Sequence, residues 1–268
     1  MKNTFLTLLL FSFFLFISES IFAEAKRVPR DNSDWPQPIS ESVFAEAKPL
    51  PDYNMETIKW GTQKYKFTLI KDEEKVELGS AILRTELKDD QVILSDEYFV
   101  RYEGKPMSLS MTQVCRKDQY LSPVKIECKG KGSDEMPTFK ATIQDGEAKI
   151  ERKLPFKISN SMKIPAETVT SAAFMRIVTQ LPLVEGATYR YAFALEASEM
   201  NLKKDYIAKV IGKETILCDG EPVKCWKISQ NGGGIREQLF WVTEDGILQR
   251  VLQDGRKQID LQTGEPGD

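Results

Sequence analysis

From Tyr53 onward, apolar and polar positions alternate with a period of two. In QVILSDEYFVRY, residues 91–102, Val92, Leu94, Tyr98, Val100 and Tyr102 fall on one side, and Ser95, Glu97 and Arg101 on the other. Alternation over that length predicts a half-buried strand. Tyr65, Phe67 and Leu69 repeat the pattern, as do Met107, Leu109 and Met111, and later Tyr189, Tyr191, Phe193 and Leu195. Asp145-Gly146, Asp245-Gly246 and Asp254-Gly255 each separate two such runs and suit tight hairpin turns. Two-residue turns would set Ile143 against Ala148, Ala141 against Ile150, Phe240 against Val251, Trp241 against Arg250 and Leu248 against Leu261.

One stretch breaks the period. Pro165 to Leu181 has proline at a natural first helical position and stops before Pro182. Val169, Ala173, Ile177 and Leu181 form an apolar stripe that Phe174 and Val178 widen, and Glu167 and Arg176 are its only charges. A helix with so little charge is covered on more than one side. Two placements remain open: flat on one sheet face, or within the concavity of a curved sheet.

The first 23 residues carry an early lysine, an apolar run from Phe5 to Ile17 and a polar, small-residue end. That is the pattern of a secretory signal peptide cut after Ala23, and the run is short for a membrane span. An exported, periplasmic or extracellular protein without a transmembrane segment after cleavage is therefore expected. The motif ESIFAEAK at residues 19–26 returns as ESVFAEAK at 41–48, inside a proline-rich stretch that reads as a disordered leader over 24–52. The expected organisation is completed by one domain over 53–262 and a flexible tail over 263–268.

Composition narrows the chemistry. A net charge of −3 provides no basic field for nucleic acid. The chain has no histidine, which removes the commonest general base, metal ligand and pH switch together. Four cysteines in an exported chain suggest disulfides, with Cys218 to Cys225 and Cys115 to Cys128 as the local pairings. Carboxylates gather at Asp72-Glu73-Glu74, Asp89-Asp90 and Asp134-Glu135, and Ser161 and Lys163 stand close together. None has the spacing of a calcium loop or the partners of an activated nucleophile. Asn231-Gly-Gly-Gly234 lacks the Gly-Lys-Ser/Thr ending of a phosphate loop and reads as a hairpin. No catalytic, cofactor or metal site is expected. Trp60, Trp226 and Trp241 with the tyrosines suit either a pocket or a core.

The run IPAETVTSAAFMRIVTQLPLVEGATYRYAF, then VIGKETILCDGEPVKCWKI and LFWVTEDGILQRVLQDGRKQIDL, resembles an uncharacterised exported bacterial family known only as a domain of unknown function. The matching positions are Ser171, Arg176, Leu181 to Leu183, Gly186, Gly212, Glu214 and Trp241. The resemblance spans about residues 53–262 and brings no catalytic set. It implies a fold similar to the half-barrel of outer-membrane lipoprotein carriers, whose concave apolar face shelters acyl chains. The four cysteines and the long leader depart from that pattern.

The expected fold is therefore mainly β: a strongly curved antiparallel sheet, or half-barrel, with one helix packed on or in its concave face. A non-enzymatic envelope protein follows, holding an apolar ligand such as a lipid or a lipidated partner between sheet and helix. The lining would come from Val169, Ala173, Phe174, Ile177, Tyr191, Phe193 and Trp241. The alternative is a structural or protein-interaction module with no small ligand, acting through sheet edges or the leader.

Overall fold

The computed structural model describes residues 39–262, apart from 53–57, 59, 72–73, 103–104, 134–135, 155–157, 199, 233–234, 254 and 256. The signal-peptide and tail regions, the leader before residue 39, and Asp72, Glu73, Asp134 and Glu135 lie outside the described residues. In chain order the elements are α1 (Glu41–Glu46), β1 (Lys48–Pro49), β2 (Gly61–Lys71), β3 (Glu74–Lys88), β4 (Gln91–Tyr102), β5 (Lys105–Arg116) and β6 (Pro123–Lys131). Next come β7 (Thr138–Gln144), β8 (Glu147–Leu154), β9 (Ile158–Lys163), β10 (Thr168–Thr170) and α2 (Ser171–Ile177), with a 3-10 turn over Val178–Gln180. The chain finishes with β11 (Thr188–Glu196), β12 (Asn201–Cys218), β13 (Glu221–Gly232), β14 (Ile235–Val242), β15 (Leu248–Gln253) and β16 (Lys257–Leu261).

Two antiparallel meanders, β2 to β9 and β11 to β16, join where β16 pairs with β2, making one unclosed sheet. Its curvature follows from what α2 touches. Side chains of residues 170–176 bond to Gln113 on β5, Asp96 on β4, Thr85 on β3 and Glu196 on β11. In the strand order β11 and β5 are separated by β12, β13, β14, β15, β16, β2, β3 and β4. Laid flat, that span is roughly 43 Å at ~4.8 Å per strand, whereas seven helical residues cover only about 10 Å. A sheet bent through most of a turn is what brings both strands to one short segment.

At two of the three hairpins the expected cross-strand pairs form. Ile143 opposes Ala148, Ala141 opposes Ile150, Phe240 opposes Val251 and Trp241 opposes Arg250. The last hairpin differs by one residue: Gln253 pairs with Lys257 and Val251 with Ile259. Its connection thus holds three residues instead of two, which moves Leu248 out of register with Leu261.

The helix is shorter than the apolar stripe predicts. Thr168-Val169-Thr170 forms β10, paired in parallel with Phe193, Ala194 and Leu195. Three β-branched residues in succession favour the extended backbone, and the Thr168 hydroxyl donates to the Pro165 carbonyl at 2.7 Å to hold the preceding turn. Thr170 then caps α2, accepting from the Ala173 amide at 3.1 Å.

Part of the stretch expected as a disordered leader is ordered. The second copy of the repeat forms α1, with Ser40 as its N-cap, and continues into β1, which pairs in parallel with Tyr189 and Arg190. Ala47 and Leu50 are buried and Phe44 lies 5.2 Å from the Arg190 guanidinium. The sheet supplies the apolar contacts that this stretch cannot supply itself, so residues 40–50 are packed against β11.

The four cysteines are free, which corrects the expected disulfides. The ladder gives the reason. Cys218 opposes Glu221 and Cys225 opposes Glu214; Cys115 opposes Pro123 and Cys128 opposes Met111. Each couple is offset by four positions along its hairpin. At ~3.3 Å per residue that is about 13 Å, against a Cα separation under about 7 Å in a disulfide. Cys218 and Cys225 instead join Ile216 and Trp241 in a small cluster separate from the main core.

Candidate functional site

The site is built around α2 by polar groups at its two ends and an aromatic face between them. Arg176 is buried and its Nη2 donates to Asp96 Oδ1 at 2.7 Å. The same guanidinium reaches the Thr85 hydroxyl at 3.1 Å and the carbonyls of Ala172 and Arg84, both at 3.2 Å. Such a pair needs every one of these bonds to offset the cost of taking two charges out of water. At the other end, Thr170 donates to Gln113 Oε1 at 2.7 Å, in addition to capping the helix.

Between these anchors Phe174 packs against Tyr191, ring centroids 5.4 Å apart, and edge-on against Phe240 at 5.3 Å. Tyr191 stacks in turn on Tyr206 at 5.1 Å, and Gln230 donates to the Tyr191 hydroxyl. Beside this stack lies a cavity of about 140 Å³. Val169, Phe174, Tyr98 and Phe240 supply apolar wall; Glu196, Ser171, Ser198, Tyr206, Gln238 and Gln253 supply polar groups. Glu196, half-buried, accepts from the Ser171 hydroxyl at 3.1 Å. Desolvation by the surrounding protein raises its carboxyl above the ordinary range, opposed by the Ser171 bond and by Lys203. The Tyr206 hydroxyl, in a residue only 1% exposed, has no partner among the described residues.

The residues expected to line a ligand separate into three groups. Val169, Phe174 and Tyr191 border the cavity. Ala173 and Ile177 are fully packed in the main core without bordering it. Phe193 and Trp241 lie elsewhere. Along β11, Tyr191 and then Ala194 and Glu196 reach the cavity, so the inward parity changes after Tyr191. Across the ladder at that step stands Asp205, whose φ of 60° breaks the regular pleat. Phe193 meets Lys204 instead, 5.9 Å from its ammonium. Trp241 follows Phe240 by one residue and so points to the other side of β14, where its indole donates to Glu214 within the small cluster.

Alternation by itself does not single out Asp96 or Glu196 as site residues. A signal for Asp96 existed: it shares the parity of Val92, Leu94, Tyr98 and Val100, and a charge on the inward side of a strand calls for a buried partner. Arg176, one of two charges in the apolar segment, was that partner.

A second, open groove of about 540 Å³ lies across β3, β4, β5 and β6, bordered by Leu78, Phe99 and Met107 with Arg101 and Lys131. Ser161 and Lys163 sit exposed on β9, opposite Lys149 and Glu147. Asp89 and Asp90 form the β3–β4 turn, both with positive φ. Burial pushes the Cys115 and Cys128 thiols up to about 12 and Cys225 to about 11, far from a reactive thiolate. Among the described residues no helix is long and apolar enough to cross a membrane, and no cluster of three metal-ligating side chains occurs.

No family model matches the chain, and no curated protein matches it significantly. A solved structure does. The crystal structure of a β-barrel-like protein of the domain of unknown function DUF1849 from Brucella abortus superimposes with a TM-score of 0.50 at 12% identity, over 76% of this chain and 97% of that one. The likeness is one of fold: a large, mainly β, barrel-like architecture.

Proposed function

We propose that this protein is a non-enzymatic, exported interaction module of the cell envelope, and that it does not carry acyl chains. The observation that supports this reading is the space left beside α2. Arg176, Phe174, Tyr191, Tyr206 and Phe240 pack together between α2 and the strands that it touches, and the cavity bordering them has a volume of about 140 Å³. Pockets for drug-sized ligands run to about 300–1,000 Å³, and a lipid needs more.

A route for a partner is offered by the sheet edge. One end of the sheet is covered, because β1 and β10 both pair with β11. At the other end β9 pairs only with β8 among the described residues, and Ser159, Asn160, Ser161 and Lys163 on it are exposed. A free strand edge accepts an added strand from another chain. Export rests on the signal-peptide pattern of residues 1–23.

Native mass spectrometry of protein purified from an envelope fraction is the test. A ligand-free mass for a chain beginning at Glu24 is expected. A stoichiometric lipid adduct would overturn the reading, and so would an unprocessed chain recovered from the cytoplasm.

A further inference from the structure

We propose that the cavity beside α2 binds a small organic ammonium cation bearing a hydroxyl, with its charge at Glu196 and its hydroxyl at Tyr206. This goes beyond the interaction-module reading and does not depend on it.

The first argument is incompleteness. A buried phenol without a partner is rare in a folded protein and destabilising. Tyr206 carries one, and it borders the cavity. Gln230, which borders the same cavity, donates its amide to the Tyr191 hydroxyl instead.

The second is sign. Among the described residues, those bordering the cavity include one carboxyl, Glu196, and no lysine or arginine. Lys203, which lowers the Glu196 carboxyl, approaches from β12 and is not part of the lining. Glu196 acts electrostatically on both Tyr191 and Tyr206, so its field extends to the aromatic wall. A carboxylate or phosphate ligand would enter against that field, whereas a cation is drawn by it.

The third is the wall itself. Phe67, Tyr98, Phe174, Tyr206 and Phe240 border the cavity, and aromatic rings around a pocket attract ammonium groups electrostatically, which is how aromatic pockets recognise quaternary amines. A volume of about 140 Å³ admits a head of that size without an acyl tail.

The test is calorimetric titration of the full mature chain with (2-hydroxyethyl)trimethylammonium, tetramethylammonium, and the uncharged isostere 3,3-dimethylbutan-1-ol, at matched ionic strength. The hydroxylated cation should bind saturably and at least tenfold more tightly than the neutral isostere. Glu196→Gln should erase that charge preference. Tyr206→Phe should reduce the hydroxylated cation to the level of tetramethylammonium. Equal binding of the charged and neutral probes would overturn the proposal. So would the absence of saturable heat up to roughly 10 mM, where even a millimolar site fills. Both results come from the unmutated protein, and neither bears on whether lipid co-purifies.

Discussion

Replacing Arg176 with methionine keeps most of the side-chain volume and removes one charge from the pair that fixes α2 to the sheet. Asp96 would then be left at 1% exposure with no cation, and its Oδ2 already lacks a partner. Breaking a buried pair from one side costs about 3–5 kcal/mol, a large share of the roughly 5–15 kcal/mol that holds a domain together. With a urea m-value near 3 kcal/mol/M, the midpoint should fall by about 1–1.7 M. Replacing both partners, Asp96→Leu with Arg176→Met, removes the stranded charge as well. Apolar substitution of a whole buried pair is often neutral, so the double variant should recover most of the loss. Arg176→Lys should fall between, because a lysine cannot span Asp96, Thr85 and two carbonyls at once. Equilibrium urea unfolding with an unchanged m-value is the assay. A single variant within about 0.5 kcal/mol of the parent, or a double variant as unstable as the sum of the singles, would refute the reasoning.

Three further outcomes are expected. The raised Glu196 carboxyl means that the folded protein binds a proton more tightly there than the unfolded chain does. Its contribution to stability is therefore fully present below the ordinary carboxyl value of 4.5 and is lost as pH rises through the raised one, a dependence that Glu196→Gln should flatten in unfolding curves taken across that window. Thr170→Val removes the helix cap and strands the Gln113 oxygen, which is fully buried; a loss of about 2–4 kcal/mol should appear in chemical denaturation, and a loss under about 1 would show that water replaces both bonds. Without reductant, denatured protein should titrate four thiols while folded protein reacts with almost none; four blocked thiols would restore the disulfides that the ladder register opposes.

The strands were legible because each side of the sheet differs so strongly from the other that alternation marks both their positions and their pairing, as at Ile143 with Ala148 and Phe240 with Val251. What escaped depended on a single residue of spacing or on distant contacts. The three-residue connection after Gln253 shifts β16 by one position, and no local pattern separates it from a two-residue turn. Val169 belongs to an apolar stripe at helical spacing, yet Leu195 and its neighbours take it as a strand. Residues 40–50 have too little apolar content to fold alone and become ordered on β11, more than a hundred residues away in the chain. Phe240 and Trp241 are adjacent aromatics on β14, and alternation alone does not say that Phe240 faces the cavity while Trp241 joins the small cluster. The cavity's own chemistry, Glu196 with Tyr206, joins β11 to β12 across a pleat irregularity that the sequence does not announce.

The contact between β16 and β2 ties Leu261 to Tyr65, nearly the whole length of the domain apart. During synthesis the first meander must wait, its β2 margin unsatisfied, until β16 has been made. Closing so long a loop is slow and leaves the nascent chain open to mispairing. A chain that stopped before Lys257 would lose far more than one strand, since β15 and β2 would each be left with a raw seam, and a holding chaperone would be of most use in that interval.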